Sequence, residues 1–275
     1  MSSGKRAVFR FLLCPLICVI AYFCILYIAA VPVLIIKGEN YLDYEGHIYL
    51  FVGLVGITAC AVWWIIKKHM GFGTPPVGKG IPLDWTYAAV SAFAMLGVAI
   101  LYFYFVQNLR VSAVQKLLEE YDEMMDPKSV SRVDEIMNFI GTCFLIPVLE
   151  EILFRGFLLE GMLELKKPLL AILASAVVFG GMHGQPIQIG YAFLAGLMLG
   201  ALYYLTRNLV MTIVAHMIFN IMGNGIYIMF NVPSELDNVL TVIEIAAIVF
   251  FIAITVYMGI KRKTRFPETG KAEEN

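Results

Sequence analysis

Long apolar runs separated by short polar connections set the pattern of this chain. Eight runs, at about 11–36, 47–66, 86–106, 139–160, 168–184, 187–206, 209–230 and 239–260, are each predicted to be a membrane-spanning helix. Most approach the roughly 20 residues that a helix needs to cross a hydrocarbon core; the fifth is short. Pro15 and Pro32 predict a kink or an early end in the first. The fold class is therefore all-α, a polytopic membrane bundle of about eight helices. One long connection, 107–137, has a different pattern. Val111, Val114, Leu117, Leu118 and Tyr121 recur at helical spacing with Glu119, Glu120, Asp122 and Glu123 between them. This predicts an amphipathic helix on the membrane or on the bundle, or else a solvated linker helix. The Gly- and Pro-rich stretch 67–84 is predicted to be irregular.

Composition agrees with the pattern. The 275 residues are 60% hydrophobic and 15% charged, against about 45–50% and about 25% for a soluble domain. A net charge of -1 gives no reason to expect a nucleic-acid partner. Cys14, Cys18, Cys24, Cys60 and Cys143 all lie in apolar runs and form no CxxC pair, so they read as small packing residues.

The basic residues orient the bundle. With the N-terminus in the cytoplasm, fourteen Lys and Arg fall on the cytoplasmic side and five on the other, with Arg155 left inside the membrane. The positive-inside rule thus predicts both termini to be cytoplasmic. The run after Lys5, Arg6 and Arg10 is longer than the roughly 7–15 residues of a signal-peptide core, so it reads as an uncleaved first span. The tail from Lys261 reads as a mobile basic anchor for anionic membrane lipid, and its end, Glu273-Glu274-Asn275, as no prenylation box. The chain reads as one integral membrane domain, 1–275: scaffold spans and amphipathic loop at 11–137, a core at 138–230, and a last span with its tail at 239–275.

Costly polar residues mark the core. Glu150, Glu151 and Arg155 lie in the fourth span, where a charge costs roughly 2.5–3.5 kcal/mol. Glu151 and Arg155, four apart, share a helix face and are expected to pair as structural support. Glu150 is turned about 100° from Glu151 and needs other partners. His183 follows in Phe179-Gly180-Gly181-Met182-His183-Gly184, whose glycines allow close backbone approach. Gln185 and Gln188 beyond it predict a wet pocket, because irregular backbone at membrane depth needs protein or water around it. His216 and Asn220 share a face of the seventh span, and Gly196 and Gly200 predict tight packing of the sixth. Counted from the cytoplasmic ends, His183 lies some 8–12 Å further out than Glu150 and His216, at about 1.5 Å per residue.

This set suits hydrolysis. Desolvation favours the neutral form of a carboxyl and so brings it toward the poise of a general base. Glu150 would activate water, His183 would orient it, and His216 and Asn220 would donate to an oxyanion. Alternatively Glu150, His183 and His216 would hold Zn2+ with water as the fourth ligand. No HExxH pair supports the metal, and a second base would then be needed, so both options stay open with the balance toward metal-free chemistry.

Glu-Glu-x-x-x-Arg at 150–155, Phe-x-x-x-His at 179–183 and His-x-x-x-Asn at 216–220, together with the lead-in from Gly196 to Leu209, resemble the CPBP intramembrane protease family. That family includes type II CAAX prenyl endopeptidases and bacteriocin-processing or self-immunity proteins. The resemblance covers about 138–225. It implies an intramembrane endopeptidase with Glu150 as the catalytic glutamate and His183, His216 and Asn220 completing the site. The metal is not settled by it, since the family is described both as metalloprotease and as glutamate-type. The implied substrate is a hydrophobic or lipidated peptide (CAAX-like, leader or pheromone), and the expected location is the plasma membrane. The other readings are an ion- or proton-coupled transporter, disfavoured because polar residues cluster in one half, and a non-catalytic immunity protein that keeps the fold.

Overall fold

Prolines and polar caps set the helix boundaries. The computed structural model describes residues 14–38, 44–69, 76–78, 80–125, 131–230 and 233–266. The basic residues before Cys14, the centre of the Gly/Pro-rich stretch and the tail beyond Phe266 lie outside them. Among the described residues there are nine helices and no strand. They are α1 (Cys14–Lys37), α2 (Glu45–His69), α3 (Pro82–Asn108), α4 (Ser112–Met125) and α5 (Arg132–Leu163), then α6 (Pro168–Gly181), α7 (Pro186–Thr206), α8 (Leu209–Gly225, continuing as Ile226–Met229) and α9 (Ser234–Arg265). Pro82, Pro168 and Pro186 stand in first turns, where a missing N–H is harmless. Pro32 lies inside α1 and does not end it.

Six helices are long and apolar enough to cross a membrane, and α6 and α8 are shorter apolar helices. The protein is an integral multi-pass membrane protein. Each predicted span has its helix, but the ends differ. The fourth starts at Arg132, not 139, because Ser131 caps it by accepting the Asp134 N–H at 3.2 Å. The last runs from Ser234 to Arg265, well beyond the predicted 239–260.

The amphipathic segment, α4, docks on the bundle. Leu118 and Tyr121 are buried with Val106 and Ile187. The Gln185 side chain donates to the Leu117 carbonyl at 3.1 Å, and its oxygen caps α7 by accepting the Gln188 N–H at 2.9 Å. Burial raises the Tyr121 hydroxyl above its ordinary value, so it stays a neutral phenol beside Tyr191.

Three apolar clusters hold the spans. Tyr87, Met95, Leu199, Leu202, Met211 and Met258 join α3, α7, α8 and α9. Phe154, Leu158, Phe179, Ala192 and Tyr203 join α5, α6 and α7. Ile25, Ala29, Val33, Val52 and Leu149 join α1, α2 and α5. Outward faces stay apolar, as on α9 at Val242, Val249, Phe250 and Ile260, which suits lipid.

Polar contacts fix the ends. Glu160 takes both guanidinium nitrogens of Arg207 at 2.7 Å and the Tyr203 hydroxyl at 2.8 Å. This holds Arg207 in a left-handed conformation (φ 51°) as the stop of α7. Asn208 caps α8 and clamps Gly78. Arg265 pairs with Asp84 at 2.6 Å, tying the end of α9 to the start of α3. At the opposite end Asp134 accepts the Gly46 and His47 N–H groups and the His47 ring, so α5 caps α2.

Small residues let helices touch. A Cβ on Gly200 would lie 2.9 Å from Ile172 of α6, and one on Gly196 would lie 3.1 Å from Phe179, so both glycines face α6 as their spacing predicts. At Gly97 a Cβ would strike the Glu244 carbonyl of α9. Gly97→Ala is therefore expected to lower stability by about 1–3 kcal/mol through overpacking, read as a fall in the melting midpoint of the purified protein. Gly161→Ala, which meets open space, is expected to leave the midpoint unchanged.

Candidate active site

α5 is not a plain α-helix where the acidic pair sits. Glu150 and Glu151 end a short α segment, Ile146–Glu151, between π-helical stretches at Gly141–Leu145 and Ile152–Leu159. A third, Ile221–Gly225, follows Asn220 directly. π turns are rare and gather at functional sites because one extra residue per turn re-aims the side chains. Here they flank both helices that carry the candidate residues.

Arg155 is fully buried. Its Nη1 donates to Glu151 Oε1 at 2.7 Å and its Nη2 to the Gly196 carbonyl at 3.2 Å. The guanidinium carbon lies 4.5 Å from the centre of the Phe179 ring. A carboxylate, a carbonyl and a ring face thus surround a charge that lipid would not accept. Glu151 does more than the predicted pairing. Its Oε1 also accepts from His216 Nδ1 at 2.9 Å.

That second bond fixes the histidine. A carboxylate only accepts, so Nδ1 carries the hydrogen and, in the neutral ring, Nε2 presents its lone pair. Nε2 faces Glu150 Oε2 at 3.7 Å. The other Glu150 oxygen, Oε1, lies 3.5 Å from the Tyr22 hydroxyl of α1. Both Glu150 and His216 are buried. Glu150 thus sits apart from the arginine pair, between His216 and a tyrosine.

His183 and Asn220 stand at one remove. His183 lies in the turn after α6 and is half-buried; its Nδ1 donates to the Phe179 carbonyl at 2.9 Å. Phe179, one turn earlier, meets both imidazoles edge to face, with centroids 5.1 Å from His183 and 5.9 Å from His216. Asn220 gives one amide hydrogen to the Thr142 carbonyl at 2.8 Å, inside the first π stretch. Of the three glycines around His183, only Gly180 makes a close approach, to Ile189 and Phe193 of α7. Gly184 supplies a left-handed turn (φ 75°), and Gly181 meets open space. A cavity of about 340 Å3 lies at the other end of α6 and α7, lined by Glu160, Lys166, Tyr204, Arg207 and Arg262 among others.

The zinc alternative asks for Glu150, His183 and His216 in one group. Among the described residues no three His, Cys, Asp or Glu side chains group so as to hold a metal ion. His216 Nδ1 is turned to Glu151 and His183 Nδ1 to the Phe179 carbonyl, contacts of the kind that leave Nε2 as the lone-pair nitrogen of each ring.

Sequence reasoning missed several participants. Phe179 was a motif letter without a role, though its position one turn before His183 could have marked it as a plate beside the ring. The spacing of Gly196 predicts packing alone, and its carbonyl also takes Arg155. Thr142 and Tyr22 gave no signal beyond being polar atoms in apolar spans.

No curated protein and no solved structure matches the chain. Residues 132–222 match the family described as type II CAAX prenyl endopeptidase Rce1-like. The match begins with α5, ends just beyond Asn220, and so takes in all three motifs. Over those residues, about a third of its length, the chain is similar to a family whose description names an endopeptidase.

Proposed function

We propose that the protein is an intramembrane endopeptidase that hydrolyses a peptide bond in a hydrophobic or lipidated peptide, with Glu150 as general base. The observation that carries this reading is the 3.7 Å separation of Glu150 Oε2 and His216 Nε2. Two buried acceptors at that distance suit one water molecule that donates to both, at ordinary hydrogen-bond lengths of about 2.8 Å. Such a water keeps a lone pair for a scissile carbonyl. As it attacks, its proton passes to Glu150 and later to the leaving amine. Glu151 acts through His216: it holds the ring in the tautomer that faces the water and is stabilised in turn by Arg155. Asn220 keeps an amide hydrogen beyond the one given to Thr142, and that hydrogen suits the developing oxyanion; His183, whose Nδ1 hydrogen goes to the Phe179 carbonyl, presents an accepting Nε2 and would orient the water. The Rce1-like match and the buried site support this substrate class. A prenylated peptide is its first member, and leader or pheromone peptides are others. The same reading puts the protein in the plasma membrane with both termini in the cytoplasm, and the mechanism proposed needs no metal.

Two measurements test this. In purified protein, Glu150→Gln is expected to lower cleavage of a prenylated peptide by about 10²–10⁴-fold, the usual range for loss of a general base. Full retention of cleavage would end the reading. Exhaustive chelation, with elemental analysis confirming that transition metals are gone, is expected to leave the rate unchanged; loss of activity restored by Zn2+ would reject the metal-free mechanism.

A further inference from the structure

The Rce1-like match begins at residue 132, yet one polar group beside Glu150 comes from α1. Helix α1 turns one stripe toward α2 and α5. Cys18, Ile25, Ala29 and Val33 are buried along it, and Cys18 Sγ approaches the Leu153 carbonyl at 3.6 Å. Tyr22 falls on this stripe, one turn after Cys18. A phenol inside a membrane span needs a polar partner, and the Tyr22 hydroxyl lies 3.5 Å from Glu150 Oε1. Contacts of this kind are often long in a resting site and tighten once substrate is bound.

We infer that Tyr22 is a positioning residue for Glu150: its hydroxyl holds Oε1 and leaves Oε2 to the water beside His216. The inference rests on the peptidase reading for its catalytic consequence, but its electrostatic consequence stands alone. A carboxylate has two equivalent oxygens and rotates about its last bond. A donor on one oxygen and an imidazole facing the other remove that equivalence, so the base has one working oxygen at a fixed angle. A phenol donates to the ionised carboxylate and so favours that form over the neutral acid. The chemistry proposed for the matched domain then needs a residue outside it, and α1 becomes part of the active site.

The test uses the full-length protein in detergent and two readouts. Carbodiimide labels a buried carboxyl only when it is protonated, and labelling of the Glu150 peptide can be followed by mass spectrometry across pH. Tyr22→Phe, which keeps the ring and removes only the hydroxyl, is expected to move the labelling curve to higher pH. It is also expected to lower kcat on a prenylated peptide about tenfold with KM unchanged, in line with loss of one charge-assisted hydrogen bond. Tyr22→Leu is a second route to the same curve should the phenylalanine variant express poorly. Tyr27→Phe, on the outward face of the same helix and 71% exposed, is expected to match the wild type in both. Coincident labelling curves for the wild type and the Tyr22 variants, including no labelling in any, would overturn the inference. A displaced curve in a protein that cleaves no peptide would leave Tyr22 holding Glu150 and reject the peptidase reading instead.

Discussion

The structure depends on keeping one guanidinium inside a membrane. Arg155 has no exposure and three answers to its charge: the Glu151 carboxylate, the Gly196 carbonyl and the face of Phe179. Those three come from α5, α7 and α6, so solvating one charge brings three helices together. Removing one partner of such a buried pair typically costs 3–5 kcal/mol because the other charge is left unanswered. The arrangement also has direction. Glu151 is fixed by Arg155 and in turn fixes the His216 ring of α8, so the arginine sets the geometry of a histidine that it does not touch.

Glu150 meets that network only through His216 and not through a bond to Arg155. One residue along the helix, it faces His216 Nε2 and Tyr22 instead of Arg155. Glu151 has one oxygen shared by Arg155 and His216, whereas Glu150 turns one oxygen toward His216 Nε2 and the other toward a phenol. Adjacent glutamates therefore have opposite characters because about 100° of helical rotation gives them different neighbours.

Much of this was legible in the chain. The spans showed as hydropathy, and the Glu151–Arg155 pair as a spacing of four. The helix ends were less legible: Arg132–Ile140 is amphipathic, so a search for apolar runs passes over it, and only the Ser131 cap marks the start. The link from Glu151 to His216 crosses 65 residues, and no local pattern announces it. π turns leave no trace in composition, since Gly141–Leu145 and Ile152–Leu159 look like ordinary apolar helix. Depth along the spans predicts His183 further out than the other candidates, and in the structure Phe179 meets both its ring and that of His216. Tyr22 was hidden by its company, as one more aromatic in a run of apolar residues.

One contact at the far end of α5 bears on how the chain is made. The first turn of α2 has its N–H groups at Gly46 and His47 satisfied by Asp134, 88 and 87 residues later in the chain. A ribosome releases α2 long before α5 exists. Until then α2 has an unfinished first turn, and neighbouring Gly46 has no helix to press against. The start of α2 is therefore completed only by the helix that carries the acidic pair. The same helix brings Glu150 up to Tyr22, so a chain interrupted before α5 has neither a finished scaffold nor the acidic pair.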